Sequence, residues 1–377
     1  MLASTPSLAA ADFEPEAQLL TAFDYWQAGR VQEAGRALDG LVKRVPNFRL
    51  AQLLHGELLA ARSGSPERSL LVASQEPEVR ELMEEARLRL NQWRRGASDG
   101  SVPDAVIGLS PQTRYALVVD LPQARLYVVE NTAGGPKVVR NFYAAMGRNG
   151  AGKQVAGDNR TPVGVYHVTG FIGDDELPEL YGVGAFPLSY PNAWDVRQNK
   201  TGNGIWLHGV PRETYSRAPR SSEGCVTMAN TDLASLKAFL KQTSTPVVLT
   251  DRLAWQTQGE RDKARAELAK QVEGWRSAWS ARDTTRYLSY YADDFETDGM
   301  DKRTFSAYKR RVNASKSFID VKVADLDLLR YPDRQPMVLA RFRQDYRSDN
   351  FAKSTRKDQY WQRSADGLWR IVKEESS

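Results

Sequence analysis

The sequence predicts a multidomain chain: a helical N-terminal region, a mainly β middle and an α+β end. Three observations predict it. At 377 residues the chain is long enough for two or three domains of about 150 residues each. Apolar residues recur at helical spacing early in the chain and at strand spacing after it. In the last third, helices come first and a run of strands follows, the order of an α+β domain.

Composition narrows the function classes. Hydrophobic content of 41% and charged content of 26% exclude a wholly disordered chain. No run approaches the roughly 18 apolar residues of a membrane-spanning helix, so no transmembrane segment is expected. The single cysteine, Cys225, excludes an intrachain disulfide framework and a cysteine-rich zinc site. Three histidines, His55, His167 and His208, leave little room for a histidine-rich centre, so neither a metal nor a cofactor is expected. A net charge of +5 is spread along the chain and does not predict nucleic-acid binding. Met1–Ala11 has no basic n-region and too short an apolar stretch for a complete secretion signal. Ala9-Ala10-Ala11 reads equally as the tail of a removed signal and as a plain start.

The helical region is expected over residues 1–98. Leu19, Leu20, Phe23 and Trp26 share one helical face. Gly29, Ala34 and Pro46 resemble the small-residue and proline pattern of one tetratricopeptide repeat, two antiparallel helices whose second ends at proline. A single unit cannot bury its face alone, so a protein partner is one expectation; a plain helical hairpin is the other. A further helix over about 77–95 would bury Val79, Leu82, Met83, Ala86, Leu90 and Trp93. Gly96–Pro111, rich in Gly, Ser, Pro and Asp, reads as a linker.

The β domain is expected over 112–252. Tyr115–Asp120, Arg125–Glu130, Lys137–Ala145, Val163–Thr169 and the run through Ile205-Trp206-Leu207 read as strands. Asp232–Leu240 reads as a helix and Pro246–Leu249 as a closing strand. The third region, 258–377, opens with a helix over Glu260–Ala281 carrying Ala264, Leu268, Val272, Trp275 and Trp279 on one face. Tyr287–Phe295 and Thr304–Val312 read as further helical pieces. Phe318–Leu328, Met337–Tyr346, Arg356–Gln362 and Leu368–Val372 read as strands, with Tyr290 and Trp361 expected in the core.

Two motifs invite chemistry. Gly147-Arg-Asn-Gly-Ala-Gly152-Lys153 fits the spacing of a phosphate loop, but Gln154 stands where Ser or Thr would hold magnesium. The following Val155–Pro162 cannot form the helix whose amides would hold phosphate, so the stretch reads as a long glycine-rich loop. The second motif is His208-Gly209, followed by Ser222-Glu223-Gly224-Cys225. A cysteine nucleophile needs a base or positive neighbour to stay thiolate, and one histidine brought back by the fold supplies it. Gly224 permits a tight turn, and amides there can face a developing oxyanion. The residues alone leave open a buried inert cysteine and a core histidine.

The pair resembles the signature of the L,D-transpeptidase (YkuD-type) catalytic domain. The likeness extends to Val118-Val119-Asp120 with Gln123 and Leu126-Tyr127-Val128, to Met146-Gly147 with Thr161-Pro162-Val163-Gly164, and to Thr245-Pro246-Val247-Val248. It covers about 140 residues in the family's order. The resemblance implies Cys225 as nucleophile, His208 as its base, the Gly209 carbonyl orienting the imidazole, and Gly224 and Ser222 shaping the turn and oxyanion site. Tyr190, Trp206, Arg217, Arg220, Glu223 and Thr227 are the expected substrate-lining residues. Two positions depart from the family: Glu223 replaces the usual histidine before Gly-Cys, and Thr227 the arginine two residues after it. A carboxylate pointing inward at Glu223 would raise the thiol pKa.

Residues 258–377, with Tyr360-Trp361 and Gly367-Leu-Trp369-Arg-Ile371, resemble the cone-shaped nuclear transport factor 2-like (NTF2-like) domains. The pairing is similar to the Csd6 and Pgp2 group of peptidoglycan-trimming proteins, where this module is a dimerisation domain. The resemblance implies a periplasmic homodimer acting on peptidoglycan stem peptides, at the diaminopimelate–D-alanine bond of a tetrapeptide. An amine acceptor makes it an L,D-transpeptidase, water an L,D-carboxypeptidase. Release of a protein from peptidoglycan and a catalytically inactive scaffold are the further alternatives.

Overall fold

The computed structural model describes residues 14–63, 76–95, 100–240, 244–297 and 299–376. The signal-like stretch Met1–Ala11 and the start of the expected linker, 96–99, lie outside them. The chain divides into two compact units: residues 1–96 with 210–219, and residues 97–209 with 220–377.

The first unit holds α1 (Pro15–Gln27), α2 (Val31–Arg44), α3 (Arg49–Ser63) and α4 (Pro77–Arg95). Pro15 opens α1, where its missing N–H costs no hydrogen bond. Gly29, at φ +73°, makes the left-handed turn into α2, whose Ala34, Leu38 and Leu41 are buried. The face of α4 differs from the expected one. Met83 and Trp93 are 40% and 44% exposed, while Leu88, Glu85 and Arg89 are buried. Arg89 lies 2.8 Å from Glu85 and 2.7 Å from Glu16, so two carboxylates pair with one buried guanidinium. A buried pair of this kind is invisible to hydrophobic spacing. Residues 210–219 fold with these helices: Ser216 donates to Glu85 (2.8 Å), and the Tyr215 ring lies 4.2 Å from that of Phe48.

The second unit begins by correcting the linker. Val102–Pro103 is strand β1 and Val106–Gly108 is strand β2, and Val102, Ala105, Val106, Ile107 and Leu109 are buried. Strands of two and three residues carry no readable periodicity, and the Gly/Ser/Pro content masked them. Next come β3 (Tyr115–Asp120), β4 (Arg125–Thr132), β5 (Gly135–Tyr143), β6 (Met146–Gly147), β7 (Gly164–His167), β8 (Ile172–Gly173) and β9 (Gly184–Pro187). They are followed by α5 (Ala193–Arg197), β10 (Trp206–His208), β11 (Arg220–Ser222), β12 (Val226–Thr227), α6 (Asn230–Leu236) and β13 (Pro246–Thr250). A five-stranded sheet runs β5-β4-β3-β13-β7, with β3 and β13 parallel at its centre. A four-stranded sheet runs β12-β10-β9-β8. Leu117, Val119, Leu126, Val128, Leu207, Val226 and Leu249 share the core between them.

The chain continues through β14 (Trp255–Gln256), α7 (Gln258–Ser280), α8 (Thr284–Ser289), β15 (Tyr291–Thr297), β16 (Met300–Asp301), α9 (Lys302–Ala314), β17 (Ile319–Tyr331), β18 (Met337–Ser348), β19 (Ala352–Arg363) and β20 (Trp369–Ser376). Tyr287–Phe295, expected helical throughout, is helix only to Ser289 and then strand. The C-terminal sheet runs β16-β15-β20-β19-β18-β17-β2, so the supposed linker supplies its edge strand, and β1 pairs with β14. One face of this sheet packs on α7 and α8 through Trp275, Trp279, Tyr287, Phe342 and Trp361. The other face presents Leu329, Tyr331, Met337, Leu339 and Tyr360 to Ala116, Val118, Val129, Val165 and Val248 of the five-stranded sheet. Strand β3 is therefore buried on both faces, which explains its unbroken apolar run.

Candidate active site

Two strands bring the motif together. Strand β12 pairs in parallel with β10, Leu207 opposite Val226 and His208 opposite Thr227. Cys225, just before β12, thus returns level with Trp206 at the start of β10, although 16 residues lie between it and His208. Gly224 has φ +130°, and a Cβ there would stand 2.9 Å from the Arg160 carbonyl. Both the turn and the close approach require glycine. Ser222 Oγ accepts from the Gly224 N–H (3.1 Å) and donates to the Cys225 carbonyl (2.6 Å). The thiol is partly exposed and donates to the Gly204 carbonyl at 3.4 Å. His208 is 3% exposed, with Nδ1 2.7 Å from the Gly209 carbonyl. A carbonyl only accepts, so Nδ1 carries the proton and Nε2 is left with its lone pair.

Tyr181, which no spacing marks, completes the group. It ends a short 3-10 turn, Glu179–Tyr181, between β8 and β9. Its ring meets the His208 imidazole edge to face at 4.8 Å and lies 5.1 Å from Trp206. Burial, then the nearby Cys225 and Glu223, push its phenol pKa up. Gly209 allows this segment to sit so close: a Cβ there would lie 2.1 Å from Asn230 Oδ1 and 3.0 Å from the Tyr181 carbonyl. Asn230 Oδ1 accepts from the Val183 N–H at 3.3 Å and holds the segment down. A tyrosine placed in this way has no local signature, because its partners come from distant parts of the chain.

The expected lining residues separate on inspection. Trp206 sits beside Tyr181 on the strand that ends in His208, two residues apart and so on one face. Glu223 is exposed and ion-paired with Arg148 at 2.9 Å, so it does not point inward at the thiol. Arg220 is exposed at the start of β11. Arg217 folds with the helical unit. Two residues expected to line the site are instead interior. Tyr190 is 5% exposed, packs in the core and donates its hydroxyl to the Thr201 carbonyl (3.1 Å). Thr227 is 1% exposed. In the glycine-rich loop, Lys153 Nζ is tied to Asp158 at 2.8 Å. Burial raises Asp158, but Lys153 and the N–H groups of Gln154, Arg160 and Val155 outweigh it and hold it at about 2.

Residues 114–249 match the L,D-transpeptidase catalytic domain (YkuD), and residues 267–375 match the Cds6 C-terminal NTF2-like domain. Among solved structures, Bd1075 of Bdellovibrio bacteriovorus is similar, with 29% identity and TM-score 0.65 over 74% of this chain and 98% of its own. The helical cell shape determining protein Pgp2 of Campylobacter jejuni shares the fold, with 24% identity and TM-score 0.61 over 76% of this chain and 99% of its own. No curated protein matches the sequence.

Proposed function

We infer that this chain, in which an L,D-transpeptidase catalytic domain is followed by a Cds6-type NTF2-like domain, is a peptidoglycan-modifying cysteine enzyme. The observation that carries this reading is the His208–Cys225 arrangement: Nδ1 set 2.7 Å from the Gly209 carbonyl, and a part-exposed thiol just before the strand that pairs with the one ending in His208. In the proposed reaction Nε2 takes the thiol proton, and the sulfur attacks the carbonyl of the diaminopimelate–D-alanine bond in a tetrapeptide stem. The amides of Gly224 and Cys225, in the turn that Ser222 braces, face the developing oxyanion in this reaction. The carbon–nitrogen bond breaks, D-alanine leaves with the proton from His208, and a thioester to Cys225 remains. A side-chain amine of a second stem then gives a crosslink and regenerates the thiol. The enzyme is an L,D-transpeptidase on this reading, working in the periplasm.

The second reading, L,D-carboxypeptidase, has water as acceptor and a tripeptide as product. The Cds6-type domain favours it, since the resemblance ties that pairing to peptide trimming. A scaffold without catalysis would need neither a committed imidazole nor a shaped cysteine turn.

A carbapenem separates enzyme from scaffold. The wild-type protein gains the mass of one carbapenem and Cys225→Ala gains none; a folded wild-type protein that forms no adduct sinks the cysteine mechanism. Purified disaccharide-tetrapeptide then decides the acceptor. Crosslinked dimer supports transpeptidation, and tripeptide alone replaces it with carboxypeptidation.

A further inference from the structure

We propose that the cavity between the catalytic sheet and the outer face of the C-terminal sheet binds a carboxylate carried on a hydroxyl-bearing body, such as a sugar acid. The cavity measures about 550 Å³. Side chains alternate along β18, so Met337, Leu339, Arg341 and Arg343 share its outer face. The first two pack on the catalytic sheet; beyond them the layers part and the arginines line open space with Thr113, Ser244 and Ser354.

The strand register there is unusual. Arg341 stands opposite Asp358 and pairs with it through two hydrogen bonds, at 2.7 and 2.5 Å. The next outward pair is Arg343 opposite Arg356. Like charges directly opposed across strands destabilise a sheet. Arg343 is compensated by Asp345 at 2.7 Å and Asp325 at 3.3 Å. The Arg356 side chain has no hydrogen-bond or ion-pair partner among the described residues, and it is exposed to the cavity it lines. The acidic groups of the wall are already held by protein donors. Asp327 accepts from the Ser110 N–H (2.6 Å) and the Thr113 hydroxyl (2.7 Å), and Asp358 is held by Arg341. The Thr113 and Ser354 hydroxyls already donate, to Asp327 at 2.7 Å and Asp345 at 2.6 Å, so what the wall still offers is the Arg356 guanidinium and hydroxyl oxygens that accept. His167, whose Nδ1 lies 3.4 Å from Arg341, feels the same field: burial, then Arg341, with a further push from Arg356, lower its pKa to about 4. A carboxylate bridging Arg356 and Arg343 relieves the cross-strand repulsion, and hydroxyl groups on the ligand donate to the oxygens of Thr113, Ser244 and Ser354.

Calorimetric titration of the full chain with N-acetylmuramic acid, N-acetylglucosamine and inorganic phosphate at fixed ionic strength tests this. We expect saturable binding of the sugar acid, at least tenfold weaker binding of the uncharged sugar and of phosphate, and at least tenfold loss for Arg356→Ala. Arg356→Lys, which keeps the charge, recovers part of that loss. Cys225 alkylation by iodoacetamide stays unchanged in both variants, which separates this site from the proposed reaction. No saturable binding of the sugar acid, equal affinity for N-acetylglucosamine, tighter binding of phosphate, or unaltered affinity in Arg356→Ala would each overturn the proposal.

Discussion

Ser222 holds the Cys225 turn from both sides, accepting from one amide and donating to the next carbonyl. Removing its hydroxyl leaves both groups unpaired at a buried position, a cost of about 1–3 kcal/mol if water cannot replace it. Ser222→Ala should therefore lower the carbapenem acylation rate at least tenfold and lower the melting temperature. An unchanged acylation rate would mean that the turn shapes itself without Ser222. Tyr181 makes a second residue-scale prediction. Tyr181→Phe keeps the ring against His208, whereas Tyr181→Ala releases the imidazole. Acylation should fall at least tenfold in the alanine variant and less than threefold in the phenylalanine variant. Equal losses in both would assign the effect to the hydroxyl instead. The sequence makes Cys225, His208 and Gly209 legible because they sit in short linear motifs. The burial of Tyr190 and Thr227 is not legible, because only tertiary packing decides which way they face, and Tyr181 carries no local signal because Gly209 and Asn230, which place it, lie far along the chain.

At the scale of elements, the glycine-rich loop is fixed by Asp158. Its carboxyl is held at about 2 against an ordinary value of 3.8. A lowered folded-state pKa means stability that is present above the unfolded value and lost as pH falls through the folded one. With solvent screening at the loop's open side, the contribution is about 1 kcal/mol. Asp158→Asn should be less stable than wild type by about that amount at pH 7, and urea denaturation should show the gap closing between about pH 4 and 2. A gap that persists at pH 2 would assign the loss to shape rather than charge. The seam at β2 is held by another carboxylate. Asp327 is buried at 5% exposure and takes the Ser110 N–H and the Thr113 hydroxyl, so Asp327→Ala should cost about 1–3 kcal/mol in the same assay. Both elements show where sequence reading stops. The long helices and the ten-residue-scale strands announce themselves by period, whereas β1 and β2 are too short to have one. The strand at Tyr291–Thr297 follows a helix after a single residue, so its apolar positions merge with the helical pattern before it.

At the scale of the whole molecule, the catalytic and C-terminal sheets of the second unit share a core. Val118, Val129, Val165 and Val248 on one side meet Leu329, Tyr331, Met337, Leu339 and Tyr360 on the other. The modules are also tied by β2, by Trp194 donating to Asp333 at 2.8 Å and by Arg197 with Asp294 at 2.7 Å. This constrains the homodimer expected of the C-terminal domain. The part of the outer face that carries Leu329, Tyr331, Met337, Leu339 and Tyr360 is already occupied by the same chain, so a dimer contact through this domain must use another surface. It also predicts the outcome of truncation. A protein ending at residue 257 would expose the valines of β3, β4, β7 and β13 and leave β2 without its partner strand. At roughly 25 cal/mol per Å² of apolar surface, several fully buried side chains of this size outweigh the few kcal/mol by which a domain is usually stable. The truncated protein should therefore aggregate or lack a cooperative thermal transition by circular dichroism, whether or not the full chain is dimeric by light scattering. A soluble truncated protein that melts cooperatively and still acylates Cys225 would show that the catalytic domain stands alone and that the shared core is only a docking surface.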